Sequence, residues 1–210
     1  MKTEELIRVL AENGSQPVTP IARTLCKALL LGTALSALLL LIDPPRSDLT
    51  EALLTVRFDL KLAVSLLLAG ASALLLVETA RPVPARHAGW IFLLPLLLLA
   101  GSIVFELATT PSDTWGTRLT GHNAFHCVSQ IPLLSLPLLT CLLIALRGAA
   151  SLRPALTGMT AGLSSAAVAA SLYALTCRDD SPLFVAVWYS TAAAIVAGLS
   201  ACIGVRLLRW

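Results

Sequence analysis

The chain has 210 residues, 57% of them hydrophobic and 13% charged, with a mean hydropathy of +0.84. Soluble domains are about one quarter charged, so this composition is typical of a membrane protein and leaves too little chain for a soluble catalytic domain. The net charge of +3 is too small to indicate binding to nucleic acid, and we expect no direct nucleic-acid partner.

Six apolar runs are each long enough, or nearly so, to cross a bilayer, which requires about 20 residues. They cover residues 25–42, 60–77, 89–107, 123–146, 155–176 and 182–208. The sequence therefore predicts an all-α integral membrane protein, with a six-helix membrane domain over residues 25–210. The polar residues 1–24 lack the short apolar core and cleavage site of a signal peptide, so the first run is predicted to be a retained anchor.

The lysines and arginines predict the orientation of these spans. If the N-terminus lies inside, the inner segments carry ten basic residues and the outer segments five, counted along the sequence. The positive-inside rule then places both termini in the cytoplasm, as expected for a multi-pass protein of a bacterial inner membrane. Aromatic residues near span ends, such as Trp188 and Tyr189, are predicted to be interfacial anchors.

Residues 1–24 form a cytoplasmic segment in which a short amphipathic helix is predicted. Thr3 is a suitable N-cap. The helix presents an apolar face of Leu6, Ile7 and Leu10, bordered by the cation Arg8. Two interpretations remain open. The helix lies on the inner membrane surface, or it docks into a groove of a soluble cytoplasmic partner.

The fifth run is rich in alanine, glycine and serine and contains Gly158 and Gly162 at GxxxG spacing. Small residues allow close approach of helix backbones in lipid, so this helix is predicted to be central in the bundle. The alternative use of the Gly158/Gly162 face is in a homodimer.

Cysteine placement is the most specific feature of the sequence. Cys127 begins the fourth span and Cys177 ends the fifth, so both are expected at the outer surface and exposed. The two helices are joined by a short inner loop, which favours antiparallel packing and brings the cysteines within the roughly 7 Å Cα separation of a disulfide. We predict a pair that responds to oxidants or thiophilic metals, with a permanent disulfide and two unpaired thiols as alternatives. Arg178 and His126, each next to one cysteine, would favour thiolate.

A weaker alternative is a metal site. His122 and His126 have the i, i+4 spacing that places two imidazoles on one helical face, and Cys127 and Cys177 would complete the ligands. This pattern corresponds to the rival function, a small membrane transporter or metal-binding membrane protein. The transporter hypothesis is disfavoured because no carboxylate lies deep in a span. No phosphate loop, Cys-x-x-Cys or nucleophile motif is present, so neither an enzyme nor a cofactor is expected.

Several motifs of the second half resemble one known family. They include Cys127 with Ile131-Pro132-Leu133-Leu134-Ser135, Leu172-Tyr173-Ala174-Leu175, and Cys177 with Asp180-Ser181-Pro182-Leu183-Phe184-Val185-Ala186 and Trp188-Tyr189. This pattern resembles the NrsF family of six-helix inner-membrane anti-sigma factors. The resemblance covers the whole chain and is strongest over residues 121–210.

The resemblance implies a partner and a mechanism that the residues alone do not. The partner would be an extracytoplasmic-function sigma factor, bound at the cytoplasmic face. The membrane domain would lie in the lipid bilayer. Cys127 and Cys177 would transmit a stress signal that releases it. Thr176 and Arg178 depart from the expected neighbours of Cys177, so the stimulus is not carried over.

Overall fold

A computed structural model describes residues 21–42, 46–81, 88–149 and 151–208. Within these ranges the chain is helical and contains no β-strand. The long helices are α1 (Ile21–Leu40), α2 (Val56–Thr79), α3 (Leu93–Thr109), α4 (Ala124–Leu146), α5 (Pro154–Tyr173) and α6 (Pro182–Leu207). The prediction of six helices that are long and apolar enough to cross a membrane is confirmed. The predicted N-terminal helix with Leu6, Ile7, Arg8 and Leu10 lies outside the described residues.

Turn chemistry fixes several helix ends. Thr55 has an extended backbone and its hydroxyl accepts a hydrogen bond from the Phe58 amide, which caps the start of α2. Proline occupies the first position of both α5 and α6, where its missing N–H costs no helical hydrogen bond. Because Thr55 caps it, α2 begins at Val56, four residues before its predicted start, and Arg57 and Asp59 lie inside it.

Short helical pieces complete the connections. They are Leu49–Ala52 between α1 and α2, Ala88–Phe92 before α3, and Ser112–Thr114 with Trp115–Thr120 between α3 and α4. Side chains from residues 46–47, 61 and 122–123 all contact the α5–α6 connection, so three connections gather at one end of the bundle. We call this the hairpin end, and the end with the α4–α5 connection the opposite end.

α5 is the central helix, as predicted. Two thirds of its most apolar window is buried (67%), against 17% for α3. Gly158 and Gly162 face α6 of the same chain: a Cβ at Gly158 would overlap the backbone oxygen of Ser200. Since α6 of the same chain already fills the Gly158/Gly162 face, that face is not free to form the homodimer given above as an alternative.

α3 is peripheral. It packs mainly against α2 and the first turn of α6, and much of its surface is exposed leucine, valine and phenylalanine, such as Leu97 (66%) and Phe105 (64%). α1 is similarly exposed on one side and packs with the other against α4. A large apolar surface of this kind is stable against lipid and would not be stable in water.

Candidate functional site

The site lies at the hairpin end, where residues 174–181 connect α5 to α6. Both predicted sensing residues are there, Cys127 in the first turn of α4 and Cys177 in the hairpin, and both are free thiols. They belong to one apolar cluster of buried side chains. However, Cys127 is 0% and Cys177 2% exposed, so the prediction that they are exposed is wrong. The hairpin folds over the end of α4 and covers both sulfur atoms.

Aromatic rings enclose the two thiols. The Tyr173 and Tyr189 ring centroids are 6.1 Å apart, and the His126 ring lies 6.1 Å from that of Tyr173. Both tyrosines belong to the same buried cluster as the two cysteines. Tyr189 is buried within a π-helical turn, Val185–Tyr189, so its predicted role as an interfacial anchor is wrong. π-helical turns of this kind are frequent at functional sites.

Lys61 reaches the hairpin from the second turn of α2. Its side chain is 1% exposed, and its ammonium donates to Asp180 Oδ1 at 2.8 Å, to the Cys177 carbonyl at 3.0 Å and to the Asp179 carbonyl at 3.2 Å. The ammonium also lies 5.7 Å from the centroid of the Tyr189 ring. A buried lysine requires this many acceptors because an unpaired buried charge is strongly destabilising.

Arg46 approaches the same acceptors from the α1–α2 connection. One nitrogen donates to Asp180 Oδ2 at 2.7 Å and to the Cys177 carbonyl at 3.3 Å, while Nε and the other terminal nitrogen bind both oxygens of Asp48. The hydrogen bond from Arg46 is the main cause that lowers the pKa of Asp48 to about 2. The Cys177 carbonyl is therefore held by two cations from different parts of the chain.

Asp179 has a separate role from its neighbour Asp180. Its Oδ2 accepts from the backbone amides of His122 and Asn123 at 3.1 and 2.8 Å and from the Asn123 side chain at 3.0 Å. These amides precede α4, so a carboxylate from the hairpin satisfies donors at the helix start where the macrodipole favours negative charge. The adjacent acids thus bind the hairpin to α4 on one side and to α2 and Arg46 on the other.

The proposed metal ligands are not assembled. His122 precedes α4, whose first residue is Ala124, so His122 and His126 do not share the helical face that their spacing suggested. The His122 side chain is 96% exposed. Within the described ranges, which include all four candidates (His122, His126, Cys127 and Cys177), no three histidine, cysteine or acidic side chains form a group able to hold a metal ion.

Several residues of this site were missed at the sequence level. Lys61 lies within an apolar run, where an ionisable residue is a signal for a functional or structural pair. Arg46 lies between two runs and carries no such signal, so the charge pattern uses both only as charges of outer segments. Glu106 was missed in the same way: it is 2% exposed, near the end of α3, and accepts from Arg118 at 2.8 Å with Arg57 at 3.7 Å.

A second polar cluster connects α2 with α5 at the opposite end of the bundle. The Thr157 hydroxyl donates to the Thr79 carbonyl at 3.0 Å and lies 2.6 Å from the Ser151 hydroxyl. The hydroxyls of Thr79 and Thr160 are 3.1 Å apart. α2 therefore contacts the hairpin through Lys61 at one end and the α4–α5 connection through Thr79 at the other.

Comparisons with known proteins agree over the full chain. The profile of the NrsF family, described as "Negative regulator of sigma F", matches residues 10–210. The chain is 34% identical to the anti-sigma-F factor NrsF of Caulobacter vibrioides (strain NA1000 / CB15N), and 31% identical to the probable anti-sigma-F factor NrsF of Azospira oryzae (strain ATCC BAA-33 / DSM 13638 / PS). Each alignment covers 100% of both chains. No solved structure matches.

Proposed function

The chain belongs to the NrsF family of negative regulators of sigma F, and we propose that it holds an extracytoplasmic-function sigma factor at the cytoplasmic face of a bacterial inner membrane. The observation that carries this proposal is the match to anti-sigma-F factors over the whole chain. The excess of basic residues in the segments that include both termini supports the cytoplasmic orientation.

The partner binds the segment that precedes α1. Its predicted amphipathic face (Leu6, Ile7, Arg8 and Leu10) supplies apolar anchors for helix-in-groove contact, and a helix this short gains stability when it folds on a partner. The basic residues of the α4–α5 connection, Arg147 and Arg153, extend the surface. Both α4 and α5 start or end there, so movement of either helix changes its shape.

Chemistry at Cys127 and Cys177 releases the sigma factor. The supporting observation is that the two thiols share one buried cluster under a hairpin held by Lys61 and Arg46. A two-electron oxidant would remove two electrons and two protons to form a disulfide, whereas a thiophilic metal would displace the thiol protons. Either product changes the sulfur separation, and the α5–α6 hairpin and the first turn of α4 must move to accommodate it.

Burial of the thiols adds a condition to this mechanism. A reagent from the aqueous phase reaches the sulfur atoms only when the hairpin opens, since both residues are covered in the closed form. Local opening of a polar hairpin costs less than global unfolding. The strength of the Lys61, Arg46 and Asp179 contacts then sets the threshold at which oxidants or metals are sensed.

Co-purification tests the partner. The detergent-extracted full-length chain should retain its sigma factor, and deletion of residues 1–20 should abolish retention while the membrane domain stays folded. Substitution of Arg81, in the α2–α3 connection, serves as the control at the same face. Equal retention after the deletion would contradict the assignment of the docking segment.

A cysteine double variant tests the release step. Cys127→Ser with Cys177→Ser should bind the sigma factor normally but no longer release it when cells are exposed to oxidants or thiophilic metals, measured with a reporter of sigma-dependent transcription. Cys26→Ser with Cys202→Ser is the matched control, since both are exposed and lie elsewhere. Normal induction in the Cys127/Cys177 variant would overturn the mechanism.

A further inference from the structure

Two arginines share one buried carboxylate at the hairpin end. Arg118 and Arg57 contact the same oxygen of Glu106 at 2.8 and 3.7 Å, and the Glu106 side chain is 2% exposed. Because both contacts meet at one oxygen, the two guanidinium groups are neighbours. The Arg118 and Arg57 side chains are 31% and 48% exposed, and each guanidinium has several N–H donors, so donors remain for a further acceptor.

These arginines line an open cleft of about 550 Å³, which we call the arginine cleft. A third arginine, Arg178, borders the cleft from the hairpin. Arg178 is exposed, and one of its terminal nitrogens donates to the Ser47 hydroxyl at 3.2 Å, which leaves other N–H donors for a ligand. The cleft therefore gathers cations from α2, from the α3–α4 connection and from the hairpin.

Ser181 adds a hydroxyl that lacks a partner. Its side chain borders the same cleft, its oxygen is buried, and within the described part of the chain that oxygen makes no hydrogen bond. The hydroxyl does not cap α6 either, although Ser181 directly precedes the first residue of that helix. A buried polar atom without a partner is destabilising and rare in folded proteins. A ligand oxygen in the cleft would satisfy this hydroxyl.

Two carboxylates border the cleft as well, but other donors hold them. Asp180 binds Lys61 through Oδ1 and Arg46 through Oδ2. Asp179 Oδ2 accepts three hydrogen bonds at the start of α4. Among the described residues, neither acid forms an ion pair with any of the three arginines of the cleft. Those arginines are therefore not paired with the acids beside them.

The space beneath the cleft excludes a lipid tail. It is bordered by Arg57, Leu99 and Asp180, and at about 10 Å³ it has room for about one water molecule. An acyl chain has no place to enter there, so the ligand that fits the cleft is small and water-soluble.

We propose that the arginine cleft binds a small tetrahedral oxyanion of the phosphate or sulfate class. Its oxygens accept from Arg57 and Arg118 on one side and from Arg178 and Ser181 on the other. Guanidinium groups bind such oxyanions through paired N–H···O bonds, which a halide, being a single atom, cannot accept.

The bound ion holds the hairpin closed. It joins α2 and the α3–α4 connection to Arg178 and Ser181, which lie on either side of the hairpin acids, and Cys177 directly precedes Arg178. Binding therefore favours the form in which the Cys177 thiol is buried. The consequence for sigma-factor release rests on the proposed function, whereas the binding itself does not.

Isothermal titration of the detergent-solubilised full-length chain with inorganic phosphate tests the site, with chloride at equal ionic strength as the reference. The native chain should bind phosphate saturably, and sulfate should compete. Arg57→Gln and Arg178→Gln should each raise the Kd about fivefold, as expected for loss of one partly exposed ion pair. Both variants keep Glu106 paired with Arg118, so the buried carboxylate is not left alone. Arg147→Gln, at the opposite end, is the matched control.

Two results of the titration would overturn the proposal. One is the absence of saturable phosphate binding to the native chain, and the other is a Kd that neither Arg57→Gln nor Arg178→Gln changes. Competition by phosphatidylglycerol but not by sulfate would also overturn it, because the cleft would then belong to a lipid headgroup.

Maleimide labelling of Cys177, with the other four cysteines replaced by serine, tests the effect on the hairpin. A ligand that binds only the closed form at about ten times its Kd should slow labelling about tenfold. Chloride at equal ionic strength should not slow it, and Arg178→Gln should weaken the protection. Phosphate that binds without slowing the labelling would place the ion away from the hairpin and overturn the assignment of Arg178 and Ser181.

Discussion

Removing the charge of Asp180 should loosen the hairpin that covers the thiols. Asp180 receives one hydrogen bond from Arg46 at 2.7 Å and one from Lys61 at 2.8 Å, and its side chain is 16% exposed. Each charge-assisted hydrogen bond contributes about 1.5–3 kcal/mol. Loss of one partner of a buried ion pair costs about 3–5 kcal/mol. Asp180→Asn should therefore destabilise the closed hairpin by about 3–5 kcal/mol.

The assay is the labelling rate of Cys177 by a maleimide. Cys26, Cys127, Cys141 and Cys202 are replaced by serine, so that one thiol reports opening of the hairpin. A loss of about 3 kcal/mol raises the population of the open form roughly 100-fold, because about 1.4 kcal/mol corresponds to a factor of ten. Labelling of the Asp180→Asn variant should accelerate by that factor.

Asp113→Asn is the matched control, since it makes the same chemical change at an exposed acid outside the network. Lys61→Met should have a smaller effect than Asp180→Asn, because Arg46 still binds both Asp180 and the Cys177 carbonyl. If Asp180→Asn is labelled no faster than Asp113→Asn, the ion pairs do not hold the hairpin closed and the threshold mechanism fails.

Three other substitutions test separate parts of the structure. Gly158→Ala should lower stability in detergent by about 1–3 kcal/mol, because its Cβ meets the α6 backbone, whereas Gly198→Ala, with nothing within 4 Å, should be neutral or mildly stabilising. Asp179→Ala should cost about 1–2 kcal/mol by removing the acceptor at the start of α4, seen as a lower unfolding midpoint. Asp48→Asn tests pH dependence: the pKa of Asp48 is lowered from 3.8 to about 2 in the folded chain, so its contribution is complete above about pH 5 and is lost as the pH falls through 2. The difference in melting temperature between native protein and Asp48→Asn should therefore be constant from neutral pH to about 5 and shrink steadily as the pH falls toward 2. A difference of unchanged size from neutral pH down to 2 would contradict the Arg46 contact.

The hydrophobic pattern was sufficient to predict the six long helices and the central position of α5. Long apolar runs have few alternatives to spanning helices, and Gly158 with Gly162 predicts close packing wherever a neighbour is available. The same pattern does not identify that neighbour: a second chain would serve as well as α6, which fills this face in the structure.

The polar contacts of the site could not be predicted because they join distant parts of the chain. Lys61 is separated by 116 to 119 residues from its acceptors in the hairpin. The position of Lys61 within an apolar run indicates that it has a partner, but nothing local identifies that partner. The burial of Cys127 and Cys177 was missed for the same reason, since their position at span ends predicts exposure unless a folded hairpin covers them.

The two polar clusters make α2 a second link, besides α4 and α5, between the hairpin and the opposite end of the bundle. Lys61 and Thr79 are 18 residues apart on one helix, about 27 Å at 1.5 Å per residue. Each anchors α2 by hydrogen bonds to α5 or its connections, so a rigid shift of α2 at the hairpin must strain the Thr79–Thr157 contact.

The free-energy changes caused by two substitutions this far apart normally add to within about 0.5 kcal/mol, so a larger deviation indicates coupling between the two positions. We expect Lys61→Met and Thr157→Val to deviate from additivity by more than that in sigma-factor affinity, measured on purified full-length protein as a double-mutant cycle. Thr140→Val, on the exposed face of α4, replaces Thr157→Val in the control cycle. Additivity in both cycles would exclude α2 as the connecting element and leave the α4–α5 pair, which joins the cysteines to Arg147 and Arg153 directly, as the route.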